Sequence, residues 1–330
     1  MGDYRHTFDL FGKNLNISGN WDSCLQDISL WYALPRLEES IKPDLSMEIA
    51  GADIEEMENH IPLPENEFKI KSGIMMANQN FDYAIYADGN KYWMDLTGVG
   101  RMMIDYDKSR ALSVINGNSM PPTYQKYLFL DYPLDKLLTS KNIYSIHASC
   151  AAVNGKGIAF TGNSGAGKST AAFILMQNGM PILTDEKLFV YKTAEYFGGS
   201  VSDIIKVRQG AMAKFFALPD LLHQYDEIAG EHYLKLGSSQ KSLWTNSVPL
   251  KVLCLLEQTG EPKTEVRSVS PTKLVGGLFP VTITSANPQH RAAKFSFILE
   301  MLENIECRLV KFGTDMDDFV NKINELSETL

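Results

Sequence analysis

The stretch Ile146–Lys187, IHASCAAVNGKGIAFTGNSGAGKSTAAFILMQNGMPILTDEK, decides the fold. At its centre Gly162-Asn163-Ser164-Gly165-Ala166-Gly167-Lys168-Ser169 fits G-x-x-x-x-G-K-[ST] at every position. Ile158–Thr161 before it are strand-like, Lys168–Gln177 after it are helix-like, and Asn178-Gly179 supply a stop signal. This is the setting in which such a loop holds phosphate. Glycines let the backbone curl so that successive N–H groups point inward, and the helix N-terminus adds the positive end of its dipole. Lys168 can reach β- and γ-phosphates, and the Ser169 hydroxyl can ligate Mg²⁺. The expected phosphate-binding set is Gly162, Asn163, Ser164, Gly165, Ala166, Gly167, Lys168, Ser169 and Thr170. A Gly/Ser-rich turn without a ligand would not need the whole pattern in this setting. The loop alone does not separate kinases from hydrolases or switches.

Two further features flank the loop. Asp185 and Glu186 follow Lys168 by only 17 and 18 residues, after one short helix and the strand-like PILT. In a βαβ unit the second strand runs parallel to the first, so its C-terminal end is expected beside the phosphates. A carboxylate there can hold Mg²⁺ or take the proton of an attacking hydroxyl. A solvated acidic turn after a strand has the same composition. Upstream, Asn154-Gly155-Lys156-Gly157 reads as a tight hairpin turn. With Gly155-Lys156 as the loop residues, His147 falls opposite Ser164; with Asn154-Gly155, it falls opposite Gly162. Either register brings His147 to the phosphate loop, and either puts an antiparallel strand ahead of the loop strand. A hydrogen-bonded core histidine is the competing reading. His6, His60, His223, His232 and His290 show no ligand spacing.

Working outward, the first third reads as a separate α+β unit. FDYAIYA (81–87) and KYWMDL (91–96) are strand-like around the turn signal Asp88-Gly89-Asn90, and RMMIDYD (101–107) and ALSVING (111–117) continue an antiparallel meander. Residues 123–139 read as helical, with Pro133 as an interruption. The domain boundary is placed after residue 135. Beyond the loop, VPLKVLCLLEQ (248–258) is a nearly continuous apolar run, as expected of a central strand covered on both faces. PTKLVGGLF and 289–304 are helix-like, CRLVKFG is a late strand, and the tail from Met316 is a last helix.

Composition narrows the partners. With 44% hydrophobic and 22% charged residues, the 330-residue chain is globular in type. A net charge of −9 argues against nucleic acid and anionic membrane surfaces as partners. Cys24, Cys150, Cys254 and Cys307 form no metal-type pair and are expected as free thiols. No apolar stretch reaches the ~18 residues of a membrane helix, and MGDYRHTFDLFG has no signal-peptide pattern. A cytoplasmic location is the expectation; homo-oligomerisation stays open.

Together, the strand histidine, the glycine hairpin, the GNSGAGKS loop, the single helix and the acidic pair resemble the catalytic domain of HPr kinase/phosphorylase. They are similar in particular to the HPr-kinase-related group, which includes serine kinases acting on ribosomal peptide precursors such as those of lasso peptides. The match covers about residues 143–190, with a weaker similarity through 248–258. DLFGKNLNISG, with LPRL after it, is similar to the start of that group. The resemblance implies an α/β P-loop kinase domain of the HPr kinase and phosphoenolpyruvate carboxykinase type over 136–330. Before it would stand a smaller α+β domain with an antiparallel sheet over 1–135.

The activity implied is ATP-dependent transfer of a phosphoryl group to a serine hydroxyl of a peptide or protein, with Mg²⁺. His147 falls on the family's pre-loop histidine. Asp185 falls on the first residue of its Asp-Asp pair, linked to the base and the metal. The second Asp is Glu186 here, a departure that lengthens the side chain by one methylene. The longer signature of the bifunctional enzymes is not found, so phosphorylase activity is not implied. The expected catalytic residues are thus Asp185, His147 and Lys168, and the expected metal ligands Ser169, Asp185 and Glu186. Arg208 and Lys241 are further candidate cations for phosphate, each equally readable as a surface charge. Two other functions fit the motifs: a nucleotide-binding regulator without transfer, and a small-molecule kinase, for example of free serine.

Overall fold

The structure is a computed structural model, which describes residues 4–21, 32–52, 54–65, 70–76, 79–116, 125–208, 222–228, 231–236, 242–282 and 287–330. The chain divides into two compact units, Met1–Lys141 and Asn142–Leu330. The division falls six residues beyond the expected boundary, because the helix that the boundary would cut belongs whole to the first unit.

The first unit carries β1 (Tyr4–Leu10), β2 (Lys13–Gly19), β3 (Arg36–Leu37), β4 (Leu45–Gly51), α1 (Ile54–His60), β5 (Ile70–Met76), β6 (Gln79–Asp88), β7 (Lys91–Leu96), β8 (Gly100–Asp105), β9 (Arg110–Ile115) and α2 (Tyr132–Thr139). The meander is present as read. Asp88 pairs with Lys91, which leaves Gly89-Asn90 as a two-residue loop, and Gly89 takes the φ of 56° that such a turn demands. The sheet is nevertheless mixed rather than antiparallel. Its order is β3-β1-β2-β4-β9-β8-β7-β6-β5, and β4 lies parallel to both β2 and β9. Those pairings join segments far apart in sequence, and no turn signal announces them.

Pro133 acts as a local irregularity rather than a break. Residues Tyr127–Asp131 form one wide π turn, and Tyr132 N–H bonds the carbonyl of Tyr127, five residues back. Pro133 has no N–H to offer the Phe129 carbonyl, and that carbonyl accepts the Ser113 hydroxyl at 3.0 Å instead.

The second unit carries β10 (Tyr144–His147), β11 (Ser149–Val153), β12 (Lys156–Thr161), α3 (Lys168–Gln177), β13 (Ile182–Thr184), β14 (Lys187–Lys192), β15 (Tyr196–Gly199), β16 (Ile204–Arg208), β17 (Leu222–Ile228), β18 (Glu231–Leu236), β19 (Ser247–Gln258), β20 (Glu265–Ser268), α4 (Pro271–Thr282), α5 (Pro288–Asn304), β21 (Glu306–Phe312) and α6 (Met316–Glu328). At its centre β12 lies parallel to β19, and β19 parallel to β21. On the other side β12 meets β11 antiparallel, and β11 meets β13 antiparallel. β13 therefore runs in the same sense as β12, but β11 is inserted between them. The simple βαβ expectation, with β13 directly beside the loop strand, is corrected to this arrangement. The cause is the Asn154-Gly155 hairpin, which already occupies the edge of β12 that the returning strand would have taken. β14 and β15 pair with β10 and with the start of β19, and β16-β18-β17 form a small separate sheet.

Both faces of the central strands are covered. Ile158 and Phe160 pack against α3 and α6, whereas Ala159 faces the layer of α4 and α5. This two-sided burial is why β12 and β19 read as apolar runs rather than alternating ones. Residues Ala171–Met176 of α3 are all buried, so this helix shows no polar face. Each large side chain among them contributes about 1.5–3 kcal/mol by leaving water, which fixes the helix and hence the loop at its N-terminus.

Candidate active site

Residues 162–167 connect the end of β12 to the start of α3. Gly162, Gly165 and Gly167 have φ of 146°, 82° and 98°, values that L side chains rarely adopt. Two of these glycines are also closely packed. A Cβ on Gly162 would lie 2.9 Å from the Leu256 carbonyl oxygen, and one on Gly167 would lie 3.1 Å from Gln258 Nε2 and from the Phe312 ring. Asn163, Ser164 and Gly165 are exposed, and Ala166 and Gly167 partly so. Ala166 N–H bonds the Asn163 carbonyl at 3.1 Å and closes the turn. Lys168 is 7% exposed, and its ammonium donates to the carbonyls of Gly162 (2.9 Å) and Asn163 (3.2 Å), so it curls back over the loop. Thr170 sits half-buried in the first turn of α3.

The hairpin follows the second of the two readable registers: Val153 pairs with Lys156 and Ser149 with Phe160. His147, however, does not extend that ladder to Gly162. The chain turns at Ala148, whose N–H bonds the carbonyls of Ile146 and Glu186, both at 3.1 Å. His147 thus ends β10, paired with Lys187 of β14. It still meets the loop strand, because the Thr161 hydroxyl donates to the His147 carbonyl at 3.2 Å. Ser149 ties the same segment to the helix by donating to the Lys168 carbonyl at 2.8 Å. Burial and then the Lys168 charge push the imidazole below its ordinary range, while Glu186, by its charge and by a backbone carbonyl that accepts from the ring, pulls it upward.

Asp185 is brought to the helix start despite the inserted strand. The Ser169 hydroxyl lies 3.5 Å from the Asp185 carbonyl oxygen, at the outer limit of a hydrogen bond. The Asp185 carboxyl is 5% exposed and accepts the Lys206 N–H at Oδ2, 3.1 Å. Burial, with the neighbouring Glu186 charge, raises it from 3.8 to about 7, against the pull of the Lys206 hydrogen bond and charge. Glu186 is the more open of the pair: its side chain is 52% exposed and lies 3.8 Å from the Lys206 ammonium.

Lys206 was not legible in the sequence, where Arg208 and Lys241 drew attention instead. The side chain of Arg208 and the whole of Lys241 lie outside the described residues. The structure therefore gathers Lys168, Ser169, His147, Asp185, Glu186 and Lys206 around the C-terminal ends of β12 and β13. Among the described residues no group of three or more His, Cys, Asp or Glu side chains is arranged to hold a metal. A hydroxyl and one or two carboxylates suit Mg²⁺ all the same, since this ion commonly takes its other ligands from phosphate and water. Cys150, Cys254 and Cys307 are buried free thiols. No helix among the described residues is long and apolar enough to cross a membrane.

No family model matches the chain, and no curated protein matches it. Among solved structures the chain is similar to the Hpr(Ser) kinase/phosphatase from Coxiella burnetii, at 9% identity and a TM-score of 0.30, over 56% of this chain and 95% of that one. A likeness at that level fixes no chemistry; the bearing on function comes from the residues gathered at the loop.

Proposed function

We propose that the second unit is a phosphotransferase that moves the γ-phosphoryl group of ATP to a serine hydroxyl of a peptide or protein. The observation that carries this reading is the placement of Asp185. The backbone carbonyl of Asp185 lies 3.5 Å from the Ser169 hydroxyl in the first turn of the phosphate-loop helix, and the carboxyl of this same residue is buried and raised to about 7. A pure nucleotide holder needs the loop and a metal ligand; it does not need a carboxyl poised to exchange a proton near neutral pH.

In this reading the loop amides, the start of α3 and Lys168 hold the triphosphate. Mg²⁺ would be held by the Ser169 hydroxyl and by a carboxylate oxygen of Asp185 or Glu186, and would supply neutralisation of phosphate charge when bound. The acceptor hydroxyl attacks in line. The new O–P bond forms as the bond to the β,γ-bridging oxygen breaks, the electron pair leaves with ADP, and Asp185 takes the hydroxyl proton. His147 is held by Glu186 and stays largely neutral at pH 7, so it can bond the acceptor oxygen or a loop phosphate without adding charge. The test is incubation with ATP, Mg²⁺ and a panel of serine peptides, a serine protein and free serine, followed by intact mass. A gain of one phosphoryl group on a peptide or protein supports the reading. Gain on free serine alone moves it to a small-molecule kinase, and gain nowhere leaves a nucleotide-binding regulator.

A further inference from the structure

The phosphate loop rests on two flanks. On one side the start of α3 faces β11 and β13: the Lys168 carbonyl accepts the Ser149 hydroxyl at 2.8 Å, and the Ser169 hydroxyl lies 3.5 Å from the Asp185 carbonyl oxygen. On the other side the loop faces the C-terminal ends of β19 and β21. Leu256 of β19 stands against Gly162, and Gln258 and Phe312 stand against Gly167, where a Cβ would lie 3.1 Å from Gln258 Nε2. Gln258 and Phe312 are partners in the parallel ladder of β19 and β21, so both side chains leave the same face of the sheet. Phe312 is buried, with its ring edge-on to Phe319 at 4.7 Å, and its carbonyl accepts the Thr259 N–H at 3.0 Å. Gln258 is thus carried on a fixed strand end, while the residue itself is exposed beside the loop.

We infer that Gln258 binds the nucleoside of the bound nucleoside triphosphate through its carboxamide. This rests on the site being a nucleoside triphosphate site, as proposed above. Asp185, the proton acceptor of that reading, belongs to the β13 flank, so the γ-phosphoryl group lies toward that flank. A triphosphate threaded through the loop then leads its α-phosphate and nucleoside to the opposite flank, over the ends of β19 and β21. This is the crevice outside the carboxyl ends of parallel strands, where ligands of α/β sheets bind. Gln258 stands there with two N–H donors and a carbonyl acceptor. Those groups match ribose hydroxyls and the edge of a base, which both donate and accept. The carboxamide carries no charge, so it does not duplicate Lys168 and the loop amides as a holder of phosphate. The consequence is that Gln258 distinguishes a nucleotide from a bare polyphosphate.

Calorimetry of the full chain with MgATP and MgADP, and displacement of MgATP by magnesium tripolyphosphate, test this with Gln258→Ala and Gln258→Leu. Tripolyphosphate has the three phosphates and no nucleoside. Loss of a neutral hydrogen bond or two corresponds to about three- to tenfold in affinity. ATP and ADP affinity should fall together by about that factor in both variants, and tripolyphosphate affinity should stay at the wild-type value. Thermal unfolding identifies a misfolded variant, and the other then stands for it. Unchanged nucleotide affinity overturns the inference. Equal loss of nucleotide and tripolyphosphate affinity also overturns it, since that marks a contact with phosphate or a disturbed loop. Loss in only one of two folded variants marks packing beside Gly167 and overturns it too. Wild-type protein that binds neither nucleotide overturns this inference and the proposed function together. Wild-type protein that binds ATP through Gln258 but phosphorylates no acceptor overturns the function alone.

Discussion

Asp185→Asn separates what this carboxyl does for chemistry from what it costs the fold. The substitution keeps the size and an oxygen that can accept the Lys206 N–H, and it removes the charge. In the native protein the carboxyl is raised from 3.8 to about 7, chiefly because it is buried. A group raised on folding leaves stability intact below its unfolded value and erodes it as pH climbs through the folded value. The window here runs from 3.8 to about 7. At about 1.36 kcal/mol per pH unit, the erosion is complete above pH 7 and amounts to about 4 kcal/mol, an order-of-magnitude figure. At pH 5 it is about 2 kcal/mol by the same linkage. Asp185→Asn carries no such term. Urea unfolding in EDTA should therefore find the variant more stable than the native protein at pH 8, and the gap should shrink at pH 5. Phosphoryl transfer should fall at least ~100-fold in the same variant, the usual scale for loss of a general base. A variant with unchanged or lower stability at pH 8 would contradict a buried carboxyl whose ionisation costs more than its hydrogen bond and neighbouring charge return. A variant with near-native transfer would remove Asp185 from the chemistry.

Three further outcomes are expected. Lys168→Ala should weaken MgATP binding about tenfold or more by calorimetry, since the phosphates lose a buried cation; unchanged affinity would mean that the loop does not hold the triphosphate. His147→Ala should lower transfer about 100-fold while the melting temperature moves little, because the strand is held by backbone pairing with β14; transfer at the native rate would return this residue to a packing role. Gly162→Ala should destabilise the chain by roughly 1–3 kcal/mol in urea, since its Cβ would press on the Leu256 carbonyl from a strained φ; a neutral substitution would show that the loop can relax.

What could be read in the sequence was what local chemistry controls. The three loop glycines announce positive φ, and each has it. Gly179 announces the end of α3 and adopts φ of 79° there. The meander follows from Gly89-Asn90 and from strand composition. The hairpin register was narrowed to two choices, and the turn of Asn154, at φ of 51°, with Gly155, at φ of 75°, selects one. Non-local arrangements were out of reach. The break at Ala148 has no sequence signal, because alanine neither bends nor stops a strand; it depends on the Glu186 carbonyl, 38 residues on. The insertion of β11 beside β13 is a topological outcome that motif spacing does not encode. The parallel pairing of β4 with β9 joins segments with no shared turn. Lys206 is one lysine in IIKVR, and only the fold places it against Asp185.

The central claim is that this loop and its acidic partner transfer a phosphoryl group rather than merely hold a nucleotide. Phosphorus-31 NMR of the protein with ATP, Mg²⁺ and a serine-containing peptide follows each phosphate directly. The γ-phosphate signal should be replaced by ADP and a phosphoserine ester in equal amounts, and Asp185→Asn should suppress this exchange. ATP left intact, or ADP formed with inorganic phosphate alone, would contradict it.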